Sequence, residues 1–307
     1  MSGGAASFPL VLRRRHIGLA FGAAPSARRG VGSDVAGSRP YRAGDAMRAI
    51  DWASSARLSS ARDEDAFVVR ERYADESPRV VVLSDRRPAM ALCPPDLPWL
   101  RKASALHVAA LLIAASATQH RGAVGSLDHG DGAEHPVWLA PTTSGLWRFE
   151  ERYESAGFQA PPDAVEQALL HLGLLRSSLP AGSFVFVLSD FLVETSAEAW
   201  LRAVDRRWDV VPVVIQDPVW EASFPDVGGV LVPFVDAGSG AVRRVRMGRR
   251  EARRIRVAHE DRHAALIDTL TAYGTDPVVV ASAHPDAILT AFLAWADARV
   301  IERRGAA

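Results

Sequence analysis

A chain of 307 residues with 48% hydrophobic content has room for one large α/β domain with an extension, or for two modest domains. Lys+Arg and Asp+Glu are equal at 36 each, so no global field draws the protein to nucleic acid or to an anionic membrane. Cys93 is the only cysteine, which excludes an internal disulfide and points to a reducing, cytoplasmic compartment.

In chain order, residues 1–30 are rich in Arg, Ala and Gly and read as mobile at the extreme end. Three arginines interrupt the apolar pieces of FPLVLRRRHIGLAFGAA, so this stretch does not read as a signal peptide. Residues 31–77 carry many charges and turn residues, including SRPYRAGDAMRAIDW at 38–52. RVVVLSD at 79–85 is a continuous β-branched run, the pattern of a strand buried on both faces. A helix over about 99–119 follows. Its apolar core, ALHVAALLIAASA from Ala105, is too short to span a membrane and reads as a core helix.

Short strands are expected at 121–128 and 135–140, and Pro161-Pro162-Asp163 opens a helix with Val165, Leu169, Leu172 and Leu175 on one stripe. SFVFVLSD at 183–190 is a second buried strand ending in Ser-Asp. A helix near 196–206, a strand over 208–217 and a β-hairpin turning at Gly238-Ser239-Gly240 come next. A helix over about 249–273, a strand at 276–282 and a helix over 285–303 complete the pattern.

Buried strands alternating with helices predict an α/β, doubly wound, mostly parallel sheet covered on both faces. With strand order 3-2-1-4-5-6, the ends of the first and fourth strands flank the switch-point crevice, which sets Asp85 opposite Asp190. Two ionised carboxylates about 4 Å apart repel by about 4 kcal/mol at an effective dielectric of 20, so a cation is required between them. The loop after Asp85 reads Arg86-Arg87-Pro88-Ala89 and offers no hydroxyl to a divalent ion. An arginine in that role, with no metal and no cofactor, is the preferred reading; a bound metal or well-separated aspartates are the alternatives.

HEDRH at 259–263 matches the H-E-x-x-H pattern, in which His259 and His263 would bind zinc and Glu260 would act as general base. Its central residues are charged and it follows the basic stretch 243–256, so a solvated helix face is the preferred reading and a zinc hydrolase the alternative. The run RRVRMGRREARRIR at 243–256 could hold phosphate, but it lacks interleaved aromatics and contains Glu251. In RPYRAGDAMRAIDW, Arg42-Ala43-Gly44-Asp45 reads as a tight turn, with Asp45 placed to cap a short helix. Arg39, Arg42, Asp45, Arg48 and Asp51 could form a charge network around Tyr41 and Trp52, a structured docking element laid on the main domain.

The spacing from Arg39 and Tyr41 through Gly44, Asp45, Arg48 and Ile50 to Asp51 and Trp52, followed by Ser55-Ala56-Arg57 and VVRERY, resembles the bacterial domain-of-unknown-function-58 family. VLSDFL at 187–192 and DVVPVVIQDPVWEASFPDVGG at 209–229 resemble later elements of the same family. The resemblance implies a von Willebrand factor A-like domain over 78–303, with a hairpin excursion at about 217–249 and an extension over 1–77. It also implies an adaptor partnered by a MoxR-type AAA+ ATPase, in a family many of whose members are membrane-anchored.

Domains of that type often carry a metal-ion-dependent adhesion site. Asp85 and Asp190 match its first and last aspartates, Arg87 and Ala89 stand at its serine positions, and 158–164 supplies no threonine. The resemblance therefore implies a degenerate site in which Arg87 replaces the ion; Arg86, if it points outward, could then contact a partner directly.

Overall fold

The computed structural model describes residues 6–13, 24–42, 45, 47, 50–62, 66–92, 99–130, 133–144, 146–155, 157–175, 179–205, 208–235 and 242–305. Strands β3 (Arg79–Ser84), β4 (Ala123–Asp128), β5 (Val137–Thr142), β6 (Phe184–Ser189), β7 (Asp209–Ile215) and β10 (Val278–Val280) form a six-stranded sheet of order β10-β7-β6-β3-β4-β5. This is the predicted doubly wound order. All neighbours are parallel except β4 and β5. At the antiparallel pair the β5 backbone comes so close to Gly125 that a Cβ there would lie 2.3 Å from the Leu139 carbonyl, so only glycine fits.

The β-branched runs bury both faces because helices cover both. In β3, Val80 and Val82 enter one core while Val81 and Leu83 enter the other; in β6, Phe184, Phe186 and Leu188 alternate in the same way with Val185 and Val187. The first core is closed by α3 (Lys102–Gln119), α4 (Leu146–Ser155) and α8 (Pro285–Gly305). The second is closed by α5 (Ala164–Leu172), α6 (Ala197–Asp205) and the C-terminal part of α7 (Arg249–Ala272). Helix α4 was not among the predicted elements, although its buried Phe149 and Tyr153 are spaced by one turn. No helix among the described residues is long and apolar enough to cross a membrane.

The N-terminal expectation requires correction. Residues 6–13 are part of the main core: Phe8 is 1% exposed and stacks on Phe292 at 4.5 Å, edge-on to Phe186 and Trp295. Arg299 of α8, also buried, ties this segment down by donating to the Val11 carbonyl and to both carboxylate oxygens of Asp209.

Beyond that segment, β1 (Ala24–Pro40) and β2 (Val68–Glu76) pair antiparallel, with α1 (Trp52–Arg62) between them in sequence. β8 (Val230–Val235) and β9 (Val242–Met247) form the expected hairpin, which packs on α7 through Val232, Met247 and Ala252. Its turn at 238–240 lies outside the described residues.

Candidate functional site in the switch-point crevice

The crevice is assembled by backbone register. Ser84 pairs with Leu188, and the Asp85 N–H donates to the Leu188 carbonyl at 2.9 Å, so the ladder runs one residue past β3 and sets Asp85 beside Ser189 and Asp190. The chain then turns sharply at Phe191, whose φ of 49° is an outlier for a bulky side chain and carries about 1–3 kcal/mol of strain. Ser189 Oγ and Asp190 Oδ1 hold that turn by accepting from the N–H groups of Phe191 and Leu192.

Asp85 and Asp190 are both fully buried. Arg87, 4% exposed, lies between them. Its Nε donates to both Asp85 oxygens at 3.0 Å, its backbone N–H donates to Asp85 Oδ1 at 2.9 Å, and its Nη2 donates to Asp190 Oδ1 at 2.7 Å. Ser189 Oγ donates to Asp85 Oδ2 at 2.6 Å. The remaining Asp190 oxygen accepts from Lys102 Nζ at 2.7 Å, and Lys102 also donates to Glu221 Oε1 at 2.6 Å. Every carboxylate oxygen of the pair thus accepts from a cationic side chain. These residues do not fit a divalent ion, which would have to displace a guanidinium and an ammonium from the same oxygens.

The protonation states follow from this packing. Burial alone would raise the Asp190 carboxyl, but Lys102 and Arg87 outweigh it and hold the group below the usual carboxylate range. Burial would likewise lower Lys102 and Arg87. Asp190 and Glu221 reverse this for Lys102, and Asp85 and Asp190 for Arg87, so both cations stay charged.

Sequence reasoning missed Lys102, yet it left a signal: it is the only lysine among the 36 basic residues of the chain. A helix N-terminus is also an unusual place for a buried cation, because the macrodipole there disfavours positive charge. Two buried carboxylates compensate.

Arg86 differs from the expectation. It is 2% exposed and points inward, its guanidinium 4.6 Å from the Tyr153 ring centre and 5.3 Å from that of Phe158, with Nε 3.4 Å from Asp128. The two consecutive arginines have different partners: Asp128 at the end of β4 receives Arg86 together with Arg152 of α4, while Arg87 turns to Asp85 and Asp190. Arg86 is therefore not an outward-facing contact. Burial raises the Tyr153 hydroxyl well above its ordinary range, and that hydroxyl bonds Ser84.

Ala89 sits on α2 (Pro88–Ala91) at the rim. Beside it, next to Lys102 and Glu221, opens a cavity of about 300 Å³ walled by Trp99, Trp220, Phe224 and Phe234. Its far side is the hairpin excursion and the loop 217–224, which is folded by Asp217: Oδ1 accepts from the N–H groups of Val219 and Trp220, and Oδ2 from that of Leu100.

The N-terminal element is a separate cluster. Arg39 forks onto both oxygens of Asp45 at 2.6 and 2.7 Å, and the Arg42 N–H donates to Asp45 Oδ2. Those bonds, Arg39 first, bring the Asp45 carboxyl down to about 2. Asp45 therefore closes a turn, and most of the short helix it was expected to cap (46, 48 and 49) lies outside the described residues. Asp51 caps α1, accepting from the Ser54 N–H and hydroxyl. Tyr41 and Trp52 both pack edge-on against Phe67 while remaining 39% and 58% exposed. Gly44 and Arg48 lie outside the described residues.

HEDRH lies on α7. His259 Nδ1 sits 2.9 Å from the Ser223 carbonyl, His263 Nδ1 sits 2.8 Å from Gln216 Oε1, and Glu260 accepts from the Ser223 hydroxyl. The two histidines thus anchor the loop 216–224 to α7, and burial lowers His263. Among the described residues, no group of three or more His, Cys, Asp or Glu is placed to hold a metal ion. The basic run 243–256 lies on β9 and the first turns of α7, with most of its arginines exposed.

The family described as protein of unknown function DUF58 matches residues 37–265, more than half of the chain. No curated protein matches it. Among solved structures, the conserved hypothetical protein BatB from Bacteroides thetaiotaomicron is similar at 16% identity and a TM-score of 0.41, over 72% of this chain and 99% of that one. An aerotolerance-related membrane protein from Bacteroides fragilis is similar at 14% identity and a TM-score of 0.41, over 70% and 98%. The pilus adhesin SpaC from Lactobacillus rhamnosus GG is similar at 10% and 0.43, over 73% and 30%.

Proposed function

The chain belongs to the DUF58 family, and on that premise we propose that it is a non-enzymatic protein-interaction module of von Willebrand factor A-like type, whose metal site has been replaced by arginine. The observation that carries this reading is the Arg87 guanidinium lodged between Asp85 and Asp190. In an adhesion-type site a divalent ion would neutralise those two carboxylates and bridge to a partner. Here the first role belongs to Arg87, assisted by Lys102, and the second is vacated. Recognition then falls to the surface around the crevice, made by the loop 191–195 and the 217–249 excursion, and to the exposed Tyr41 and Trp52 of the separate N-terminal element.

The partner is a MoxR-type AAA+ ATPase, or a protein delivered to one, and the setting is cytoplasmic. Nothing in the ionic network resembles a nucleophile–base pair, because each charged side chain is engaged by one of opposite charge. Affinity capture on the full chain from native lysate, with and without ATP, tests the partnership. Co-purification of an AAA+ ATPase is expected, with a yield that depends on nucleotide; its absence under both conditions contradicts the reading.

A further inference from the structure

The aromatic cavity at the crevice rim is not explained by the ionic network beside it. Trp99, Trp220, Phe224 and Phe234 form a continuous row: Trp99 and Trp220 are 5.6 Å apart, Trp220 and Phe224 meet edge-on at 5.5 Å, and Phe224 and Phe234 stack at 6.4 Å. Such a row would ordinarily be closed into a core. Here it walls about 300 Å³ of open space, and Phe234 is 38% exposed.

The charged part of the wall consists of Lys102, Asp217 and Glu221. The lysine is held by Asp190 and Glu221, and among the described residues Asp217 accepts only from backbone N–H groups, so this part of the lining carries one carboxylate in excess of its ammonium. Arg256 and Arg262 of α7 approach the same loop, but they donate to the carbonyls of Phe224 and Glu221 and do not line the cavity. The Trp99 indole N–H is buried and has no acceptor among the described residues.

Resting on the adaptor reading, we propose that this cavity is the socket for an arginine side chain of the partner polypeptide. A guanidinium stacks on aromatic faces and pairs with carboxylate in one planar group, which suits an aromatic wall with a single uncompensated negative charge. The alkyl stem fills the apolar part of the cavity, and a main-chain carbonyl of the same segment satisfies the Trp99 N–H. A leucine or phenylalanine guest would leave the excess carboxylate unmatched. Interface anchors of this kind are enriched in arginine and sit in aromatic pockets.

Titration of the full chain with acetyl-Gly-Arg-Gly-amide, followed by calorimetry or chemical-shift change, tests the assignment against matched lysine, citrulline and leucine peptides. Saturable binding of the arginine peptide is expected. The lysine peptide binds more weakly, and the uncharged citrulline and leucine peptides bind at least about tenfold more weakly, equivalent to about 1.4 kcal/mol.

Phe234→Ala, at a partly exposed position outside the ionic network, weakens the arginine peptide without changing the circular dichroism or melting of the protein. Glu221→Gln removes the excess charge and also weakens the arginine peptide; it lowers the melting temperature because Lys102 loses a partner, and circular dichroism checks that the variant is folded at the titration temperature. Equal binding of arginine and leucine peptides, or no arginine binding while the wild-type chain still captures its ATPase partner, overturns the socket and leaves the adaptor reading standing. Arginine-peptide binding without any captured ATPase overturns the adaptor reading instead.

Discussion

Lys102 Nζ lies 2.7 Å from Asp190 Oδ2, so the chain's only lysine, on the first turn of α3, neutralises an aspartate at the end of β6. The contact joins the two halves of the doubly wound sheet across their switch point. It is also the second of the two positive charges that neutralise the crevice carboxylates.

Replacing Lys102 by methionine keeps the volume and removes the charge. Asp190 and Glu221 then lose a buried partner, and unfolding free energy falls by roughly 3 to 5 kcal/mol, the range found when one member of a buried pair is removed. Urea denaturation measures this. Lys102→Met combined with Asp190→Asn is less destabilising than the two single effects summed, because the second change removes the orphaned charge.

The pH dependence has two limbs. Asp190 is held below its unfolded value, so its contribution is present above the ordinary carboxylate range of about 3.9 and is lost as pH falls through the depressed folded value. Lys102 is raised, so its contribution is complete below the ordinary lysine value of about 10.4 and is lost as pH rises beyond it through the folded value. Stability against pH should therefore be flat near neutrality and fall at both extremes. Asp190→Asn flattens the acid limb, and Lys102→Met flattens the alkaline one.

Arg87→Ser together with Ala89→Ser returns hydroxyls to the two loop positions and removes the guanidinium. The variant melts lower than wild type. Mn²⁺ raises its melting temperature, because Asp85 and Asp190 then lack their shared cation; at a hundredfold excess over Kd the gain is about 2.7 kcal/mol. Wild type shows no such response in a thermal-shift titration.

Phe8→Ala removes the ring stacked on Phe292 and edge-on to Phe186. A loss of roughly 3 to 5 kcal/mol is expected from equilibrium unfolding. A change within half a kcal/mol would place residues 6–13 outside the cooperative unit.

Much of the fold was legible because burial on both faces leaves a plain record. Val80 through Leu83 and Phe184 through Leu188 could be strands only if helices covered the sheet twice, which gave the doubly wound class; counting strands within that class then placed Asp85 opposite Asp190. Three features were less legible, each because it depends on a contact between elements remote in sequence. Lys102 reaches Asp190 across 88 positions. Arg86 and Arg87 are identical residue types, and only the positions of Asp128 and Tyr153 show that one of them faces away from the crevice. The buried role of Phe8 depends on α8, at the other end of the chain, and the arginines that follow it in sequence gave the misleading impression of a loose terminus.

The replacement of a metal by Arg87 is tested most directly by isothermal titration of the wild-type protein with Mn²⁺ and Mg²⁺. The geometry predicts no stoichiometric heat, since both Asp85 and Asp190 already accept from a guanidinium held within 3.0 Å. Binding of one ion per chain at micromolar affinity, abolished by Asp85→Ala, would contradict it.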